Sequence, residues 1–185
     1  MHAAALCHRV DGSGLGQGVA AWGGHHHAFD LRYVGTRGYD RRNAGPLRPD
    51  AAPETVKYIL KCVASKLYDG KEFYRSDFVI QFGLHGSGVE CLHGNLHVNE
   101  TELGPRLSNT RGTCSIAHWD VPDCGNSEFF INLQTNAHLD SAYGGYCVFA
   151  EVDTHDAASN STMDAIAAAI KGSKPNITIR NASAA

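Results

Sequence analysis

Two amphipathic helices are predicted from the spacing of apolar residues. Pro53 lies at a first helical position with Glu54 in the first turn, where helices favour both residue types. Apolar side chains then recur at the i, i+3, i+4, i+7 spacing of one helical face, at Val56, Ile59, Leu60 and Val63. This helix is predicted to end before the turn at residues 68–70. A second helix is predicted over residues 163–170, ended by Gly172.

Short apolar runs separated by turn residues predict strands. Residues 28–34 alternate apolar and polar side chains, which indicates one strand. Phe73 and residues 78–80 indicate two short strands on either side of a break. Further strands are predicted over residues 112–117, 129–133, 146–152 and 176–180. Two helices with several short strands favour a mostly β fold, a closed antiparallel β-barrel capped by two α-helices.

The composition changes near residue 48, which predicts a division of the chain. Residues 1–47 form a Gly- and His-rich segment with little periodicity, apart from the strand at 28–34. Residues 48–185 contain both helices and the other strands, so they are predicted to form the folded domain. Within that domain, residues 83–111 are polar and Gly-rich, and a loop of this length is usually functional.

Charge and composition exclude several classes of protein. The net charge of −3 is too small to indicate binding to nucleic acid or to an anionic membrane. No run of eighteen apolar residues is present, so no membrane-spanning helix is expected. None of the six cysteines forms a CxxC pair, which argues against a structural zinc site. Four N-x-S/T sequons leave the compartment open between the cytoplasm and the secretory pathway.

Three other motifs in the sequence indicate no function. The alternating glycines of residues 12–18 lack the strand, the helix and the Gly-Lys-Ser/Thr of a nucleotide-binding loop. Residues 25–27 are histidines, but adjacent histidines rarely converge on one metal ion without further ligands. Asp153, His155 and Ser159 are close in sequence, which says nothing about the geometry of a triad. No cofactor and no metal are therefore expected.

Seven sequence blocks follow one another between residues 48 and 180. They are APETVKYILKCV, YDGKEFYRSDFVIQFG, RGTCSIAHWD, GNSEFFINLQTNAHLD, YCVFAEV, TMDAIAAAI and KPNITI. In this order they resemble the cyclophilin family of peptidyl-prolyl cis-trans isomerases, with its Phe-His-Arg, Met-Ala-Asn and Ser-Gln-Phe-Phe-Ile segments between two helices. The match covers about seven tenths of the chain, and seven collinear blocks are far more specific than any single block. Residues 1–47 match nothing in the family, except that residues 28–34 can supply one opening strand.

The resemblance implies an enzyme that accelerates cis/trans rotation about X–Pro bonds of peptide or protein clients. Resonance keeps a peptide bond planar with a barrier of about 18–20 kcal/mol, so uncatalysed X–Pro exchange is slow. A donor aimed at the prolyl nitrogen stabilises the twisted state, in which that nitrogen has a localised lone pair. Arg75 is implied as this catalytic donor, because a guanidinium is always protonated and presents several N–H groups.

Ten further residues are implied to bind the substrate. The resemblance places the proline ring against Phe78, Val79, Phe130 and Leu139. The residues implied to hold the peptide backbone or to line the groove are Gln81, Ala117 and His118. The family positions at the groove and its rim fall on Glu128, His138 and Tyr146.

Two departures from the family pattern concern the catalytic donor. The loop between Arg75 and Phe78 is two residues shorter than in the family, and a donor misplaced by about 1 Å can cost about a hundredfold in rate. Glu128 stands where the family has Gln, and an ionised carboxylate only accepts hydrogen bonds. Two consequences are open: Glu128 loses a hydrogen bond to the substrate carbonyl, or it pairs with Arg75 and holds the guanidinium away from the prolyl nitrogen.

Other departures concern the rim and the loop after the third predicted strand. His138 replaces a Trp through which many members bind cyclosporin, so weak cyclosporin binding is implied. Tyr146 stands where many members have His, which is a milder change. Phe82-Gly83 replaces a Gly-Gly pair, and the side chain of Phe82 is expected to alter the start of the loop.

Two functions remain open at this point. The first is peptidyl-prolyl cis-trans isomerisation in protein folding, indicated by Arg75 and the implied proline pocket. The second is a catalytically weak or inactive binding or assembly module of the same fold, indicated by Glu128 and the shortened loop. In the second case residues 1–47 are expected to dock on a partner protein.

Overall fold

The computed structural model describes residues 30–31, 47–152, 157–171, 177–179 and 181–182. The strand predicted over residues 28–34 is described only at Asp30–Leu31. The glycine and histidine motifs at residues 12–18 and 25–27 lie outside the described residues, as do Asp153 and His155.

The first helix, α1, spans Pro53–Ala64 and confirms the predicted helix. Its apolar face is buried, with Val56, Ile59 and Val63 in the main core. Ala52 precedes the helix and provides no side-chain cap for its free backbone N–H groups.

Glu100, from the long loop, caps α1 in place of a local residue. Its carboxylate accepts hydrogen bonds from the backbone N–H groups of Glu54 at 2.9 Å and Thr55 at 2.7 Å. The side chain is only 2% exposed, so these bonds form away from water. The loop is thus fastened to the start of the helix.

The second helix, α2, spans Ala157–Lys171 and begins six residues before its predicted start at residue 163. Met163, Ile166 and Ala167 are buried and form the apolar stripe that the sequence pattern detected. Small and polar residues precede that stripe, so apolar spacing gave no signal for the first turns. Neither helix of the described residues is long and apolar enough to cross a membrane.

Six strands of the described residues form one antiparallel sheet. They are β2 (Glu72–Ser76), β3 (Val79–Phe82), β4 (Thr113–Ile116), β5 (Phe129–Asn132), β6 (Val148–Glu151) and β7 (Ile177–Thr178). The order across the sheet is β6-β4-β5-β3-β2-β7. A separate parallel pair joins β1 (Asp30–Leu31) to β8 (Asn181–Ala182). The fold is therefore mostly β, with an antiparallel sheet and two helices, as predicted.

Alternation of side chains separates the two faces of the sheet. Ile80 and Phe82 of β3 lie in the main core together with Phe129 and Ile131 of β5. The rings of Phe82 and Phe129 meet at a centroid distance of 4.2 Å. Helix α1 packs against β6, and α2 packs against β2, β3 and β7. The intervening residues of β3 and β5 therefore point to the opposite face, where the candidate site lies.

A β-bulge in β2 changes which side chains reach that opposite face. Phe73 pairs with Phe82 and Arg75 pairs with Gln81, so Tyr74 is the extra residue. Phe73 is buried in the core, whereas Tyr74 is 38% exposed. The bulge therefore lets the consecutive residues Tyr74 and Arg75 line the same cavity.

Acid is expected to weaken the fold through the carboxylate of Asp50. The buried Arg48 guanidinium donates to Asp50 from Nε at 3.0 Å and from Nη2 at 2.9 Å. This hydrogen bonding lowers the pKa of Asp50 below its ordinary value of 3.8. Because the folded-state pKa is lowered, the stabilisation is present above the unfolded-state pKa and is lost as the pH falls through the folded-state value. Urea unfolding from neutral pH to about pH 2 should show a smaller loss of stability for Asp50→Asn than for the wild type, and equal losses would contradict this.

Candidate functional site

A cavity of about 590 Å³ opens on the face of the sheet opposite the main core. The structure brings ten of the eleven predicted site residues to its lining: Arg75, Phe78, Val79, Gln81, Ala117, His118, Glu128, Phe130, Leu139 and Tyr146. The eleventh, His138, lies outside the lining. Its ring meets Phe78 edge-on at a centroid distance of 5.6 Å.

The floor of the cavity is a small apolar cluster separate from the main core. Val79 of β3, Phe130 of β5 and Leu139 of the 3-10 turn Ala137–Asp140 are 1%, 4% and 8% exposed. Phe78, Ala117 and Tyr146 pack around these three side chains. The cluster forms because alternate residues of two paired strands point away from the core. An apolar ring placed on this floor would lose contact with water.

Buried amides fix the position of the floor. The Asn136 side chain donates to the carbonyl of Phe78 at 3.3 Å and to Asn132 Oδ1 at 2.8 Å. The backbone carbonyl of Asn136 accepts the amide of Leu139 at 2.8 Å. Both Asn side chains are at most 2% exposed, so their bonds are shielded from water and rigidify two edges of the floor.

The guanidinium of Arg75 is held beside the floor by Asp77 and Gln81. Asp77 Oδ2 lies 2.9 Å from Nε and 2.8 Å from Nη2, and Gln81 Oε1 lies 3.0 Å from Nη1. The carbon at the centre of the guanidinium lies 5.3 Å from the centre of the Phe78 ring, within cation–π range. A pairing of Arg75 with Glu128, one of the two consequences open for that residue, is not formed among the described residues. The short loop between β2 and β3 instead brings the carboxylate of Asp77 next to Arg75.

The Glu128 carboxylate is held by two uncharged donors. The Tyr74 hydroxyl donates to Oε2 at 2.5 Å, and the backbone N–H of His85 donates to Oε1 at 2.8 Å. Gln81 Nε2 donates to the Tyr74 oxygen at 2.7 Å, so hydrogen bonds run from Arg75 through Gln81 and Tyr74 to Glu128. Burial raises the pKa of Tyr74, and the bond to Glu128 raises it further, so the hydroxyl stays protonated and remains a donor.

The Phe82-Gly83 pair is explained by what each residue contacts. Phe82 is fully buried in the main core, where its ring packs on Phe129. A Cβ at Gly83 would lie 2.1 Å from Glu128 Oε1, which is far inside contact distance. Glycine at residue 83 therefore lets the carboxylate lie against the backbone.

The rim of the cavity is aromatic and apolar. The rings of His118 and Tyr146 stack at a centroid distance of 4.3 Å, and His118 Nε2 lies 3.0 Å from the Gly145 carbonyl oxygen. Trp119 is 79% exposed and Val89 is 42% exposed, and both line the cavity. Apolar surface thus continues beyond the floor into solvent.

Sequence reasoning missed several residues of this site, and four of them matter for its chemistry. Tyr74, His85 and Trp119 line the cavity, and Asp77 binds Arg75. Tyr74 occupies the His position of the Phe-His-Arg segment, and Asp77 stands two residues after Arg75, so closer inspection of that motif could have found both. His85 lies in a loop without periodicity, so no pattern in the sequence places it at the cavity, whereas Trp119 directly follows the predicted groove residue His118 in the block RGTCSIAHWD.

The arrangement suits binding of a small apolar ring beside directed N–H donors. Asp77 and Gln81 account for at most three of the five N–H groups of Arg75, so at least two remain available. Within the part of the chain that the structure describes, no group of three or more His, Cys, Asp or Glu residues could hold a metal ion.

Comparison with protein families gives one match. The family model described as cyclophilin type peptidyl-prolyl cis-trans isomerase/CLD matches residues 45–184. The matched segment includes every residue of the cavity lining.

Curated proteins and solved structures agree with that match. The chain is 39% identical over 111 residues to peptidyl-prolyl cis-trans isomerase B of Escherichia coli, covering 56% of this chain and 66% of the relative. It is 39% identical over 106 residues to peptidyl-prolyl cis-trans isomerase A of Dickeya dadantii, covering 55% of each. The matches thus span less than two thirds of these relatives. The crystal structure of a Cryptosporidium parvum cyclophilin type peptidyl-prolyl cis-trans isomerase is similar with a TM-score of 0.56 at 25% identity, covering 73% of this chain and 85% of that one.

Proposed function

The chain belongs to the cyclophilin-type peptidyl-prolyl cis-trans isomerase family, and we propose that it catalyses cis/trans exchange of X–Pro bonds in peptide or protein clients. One observation carries the proposal. The Arg75 guanidinium, with N–H groups to spare, lies over Phe78 at the edge of the apolar floor of Val79, Phe130 and Leu139.

The floor binds the proline ring in this proposal. Burial of apolar surface contributes about 25 cal/mol per Å², and the three floor side chains are already shielded from water. The backbone on either side of the proline lies along Ala117 and His118, with the Gln81 amide as a further polar contact. The substrate is then held at the ring while the preceding peptide bond remains free to turn.

Arg75 lowers the barrier in this proposal by acting on the twisted state alone. Rotation removes the resonance of the X–Pro bond and leaves a lone pair on the prolyl nitrogen. A free N–H of the guanidinium donates to that lone pair, which is unavailable in either planar isomer. Each 1.36 kcal/mol of selective stabilisation gives a tenfold gain in rate. No nucleophile and no proton transfer are needed for this reaction.

Barrel closure and the domain boundary are also proposals. We propose that the antiparallel sheet closes into a barrel, which pairing near both edges supports. Leu47 forms a bridge with Ala150 of the edge strand β6, and β8 pairs with β1 shortly after the other edge strand, β7. We likewise propose that residues 48–185 form the cyclophilin-like domain and that residues 1–47 are a Gly- and His-rich N-terminal segment preceding it, which the family match over residues 45–184 supports.

Two expectations about partners remain proposals. Cyclosporin is proposed to bind weakly, since His138 replaces the rim Trp and lies outside the cavity lining. Residues 1–47 are proposed to dock on a partner protein.

A non-catalytic binding or assembly module is the alternative, and the names of the relatives do not favour it. Its arguments were Glu128, the shortened loop and the unmatched N-terminal segment. Glu128 is bound by Tyr74 and the His85 backbone, so it does not occupy the N–H groups of Arg75.

The proposal is tested by nuclear magnetic resonance exchange spectroscopy on an Ala-Pro-containing peptide with catalytic amounts of the protein. Wild-type protein is expected to accelerate exchange, and Leu139→Ala to raise KM because it removes part of the floor. The matched control is Leu92→Ala, since Leu92 is 77% exposed and outside the lining. Peptide binding without faster exchange would contradict the proposed isomerase activity and favour the binding module.

A further inference from the structure

Glu128 places a negative charge in the cavity, and among the described residues it has no cationic partner. Both of its donors, the Tyr74 hydroxyl and the His85 backbone N–H, are uncharged. The ion pairs within residues 47–152 involve other carboxylates, namely those of Asp50, Glu54, Asp69, Asp77, Glu102 and Glu151. The two hydrogen bonds fix the carboxylate in place but leave its charge uncompensated.

The cation nearest along the hydrogen-bond chain cannot supply that compensation. Arg75 has its charge neutralised by Asp77, whose Oδ2 lies 2.8 Å from Nη2 and 2.9 Å from Nε. Glu128 is reached from Arg75 only through the neutral side chains of Gln81 and Tyr74. The cavity therefore presents one paired cation and one unpaired carboxylate to an incoming peptide.

The apolar surface that lines the same cavity as Glu128 favours a long cationic side chain over a bare cation. Trp119 and Val89 line the same cavity and are 79% and 42% exposed. Lysine and arginine place their aliphatic stems on such surface while the charged head group reaches a polar partner. An exposed indole also attracts a cation to its face.

The cavity has room for such a side chain in addition to a proline ring. Its volume of about 590 Å³ falls within the range of roughly 300–1,000 Å³ that holds drug-sized ligands. The floor cluster of Val79, Phe130 and Leu139 takes up only one part of the lining. The part lined by Glu128 and Trp119 remains for a neighbouring residue of the client.

We propose that Glu128 makes this groove select clients that carry a lysine or arginine within two residues of the proline. The inference rests on the proposed isomerase function and adds its substrate class. Tyr74 and the His85 amide position the carboxylate, and Trp119 with Val89 receives the aliphatic stem. A family member with Gln at this position would lack the charge that makes the selection.

The test compares peptides that differ in one side chain. Lys, Gln or Glu is placed immediately before the proline, two residues before it, or immediately after it, and kcat/KM is measured for each peptide by exchange spectroscopy. The wild type is expected to prefer Lys over Gln by about fivefold at one of these positions, and to disfavour Glu there, which matches one partly exposed ion pair. The preference should shrink at high salt because mobile ions screen it.

Glu128→Gln keeps the size of the side chain and removes the charge, so the Lys preference should disappear in this variant. Glu102→Gln is the matched control, because Glu102 is 75% exposed and pairs with Arg106 outside the cavity lining. Equal rates for Lys, Gln and Glu peptides in the wild type would overturn the inference, as would a preference that survives in Glu128→Gln.

Binding measurements separate this inference from the proposed function. The dissociation constant of each peptide is obtained from chemical-shift titration of the same samples. If the wild type accelerates no peptide but binds Lys peptides tighter in a Glu128-dependent way, the isomerase proposal fails and the charge selection stands. If exchange is fast but neither rate nor affinity depends on charge, the isomerase stands and the selection fails.

Discussion

Replacing Arg75 by alanine is expected to lower kcat/KM for exchange of an Ala-Pro peptide by about 100- to 1,000-fold, as with the loss of one preorganised donor in other active sites. Asp77 and Gln81 hold the guanidinium beside the floor that is proposed to receive the proline ring. Because the donor acts only on the twisted state, the loss should fall on kcat, with KM changed little.

Two substitutions control for charge and for folding. Arg75→Lys keeps the positive charge but lacks the planar fork, so it should recover only a small part of the rate. Lys57→Ala removes an exposed cation of α1 outside the cavity and should leave kcat and KM unchanged. An Arg75→Ala variant with the same kcat/KM as the wild type would exclude Arg75 as the catalytic donor.

Asp77 should matter only through Arg75. Asp77→Ala removes the acceptor of two guanidinium nitrogens, so the donor is free to leave its position. We expect a fall in kcat of about tenfold in the wild-type background and none in the Arg75→Ala background, because residues that act as a unit are non-additive. A similar fall in both backgrounds would mean that Asp77 serves the turn, where its Oδ1 accepts the Val79 amide at 3.1 Å, and not the donor.

Apolar spacing located both helices and the strands β2 to β7 of this fold, but it gave no signal for the two-residue strand β8. Helix α1 was found because its stripe begins in its first turn, next to Pro53. The predicted start of helix α2 lies six residues after the actual one, because its first turns contain small and polar residues before Met163. Closure of the sheet depends on pairing between distant edges, and local spacing does not determine such pairing.

The order of the motifs predicted the apolar part of the site, but it did not predict which groups its charged side chains bind. The resemblance placed Val79, Phe130 and Leu139 together, and these three form one cluster in the structure. It could not determine which carboxylate binds Arg75, because that depends on how a loop shortened by two residues turns. In the structure Asp77 binds Arg75, and the Tyr74 hydroxyl donates a hydrogen bond to Glu128.

Replacing Glu100 by alanine is expected to destabilise the fold by about 3–4 kcal/mol, a large share of the roughly 5–15 kcal/mol that stabilises a typical domain. The carboxylate is 2% exposed and accepts the N–H groups of Glu54 and Thr55 at 2.9 and 2.7 Å. Hydrogen bonds to a charged group contribute about 1.5–3 kcal/mol each, and the negative charge also suits the helix N-terminus. Alanine would leave both donors without this acceptor, and the N–H of the fully buried Thr55 would lose it away from water.

The loop that contains Glu100 also supplies part of the cavity wall. We therefore expect Glu100→Ala to weaken substrate binding as well as to lower stability. Asn99 donates to the Gly145 carbonyl at 2.8 Å, next to the rim residue Tyr146, while Val89 and Cys91 line the cavity. Loosening the loop at Glu100 is therefore expected to raise KM for a proline peptide even below the unfolding transition. This second readout separates a loop that shapes the groove from one that only stabilises the helix.

Urea unfolding measures the loss of stability in Glu100→Ala. Two further variants separate the contribution of the charge from the general effect of removing a glutamate side chain. Glu100→Gln keeps the volume and one acceptor, so it should cost about half as much as alanine and report the charge. Glu102→Ala changes the same residue type two positions away, where the side chain is 75% exposed, and should stay within about 0.5 kcal/mol of the wild type. Because the capping bonds exist only in the folded state, the midpoint should fall while the slope of the transition is unchanged. Equal midpoints for Glu100→Ala and Glu102→Ala would mean that water replaces the carboxylate without cost, and that the loop is held to α1 by other contacts.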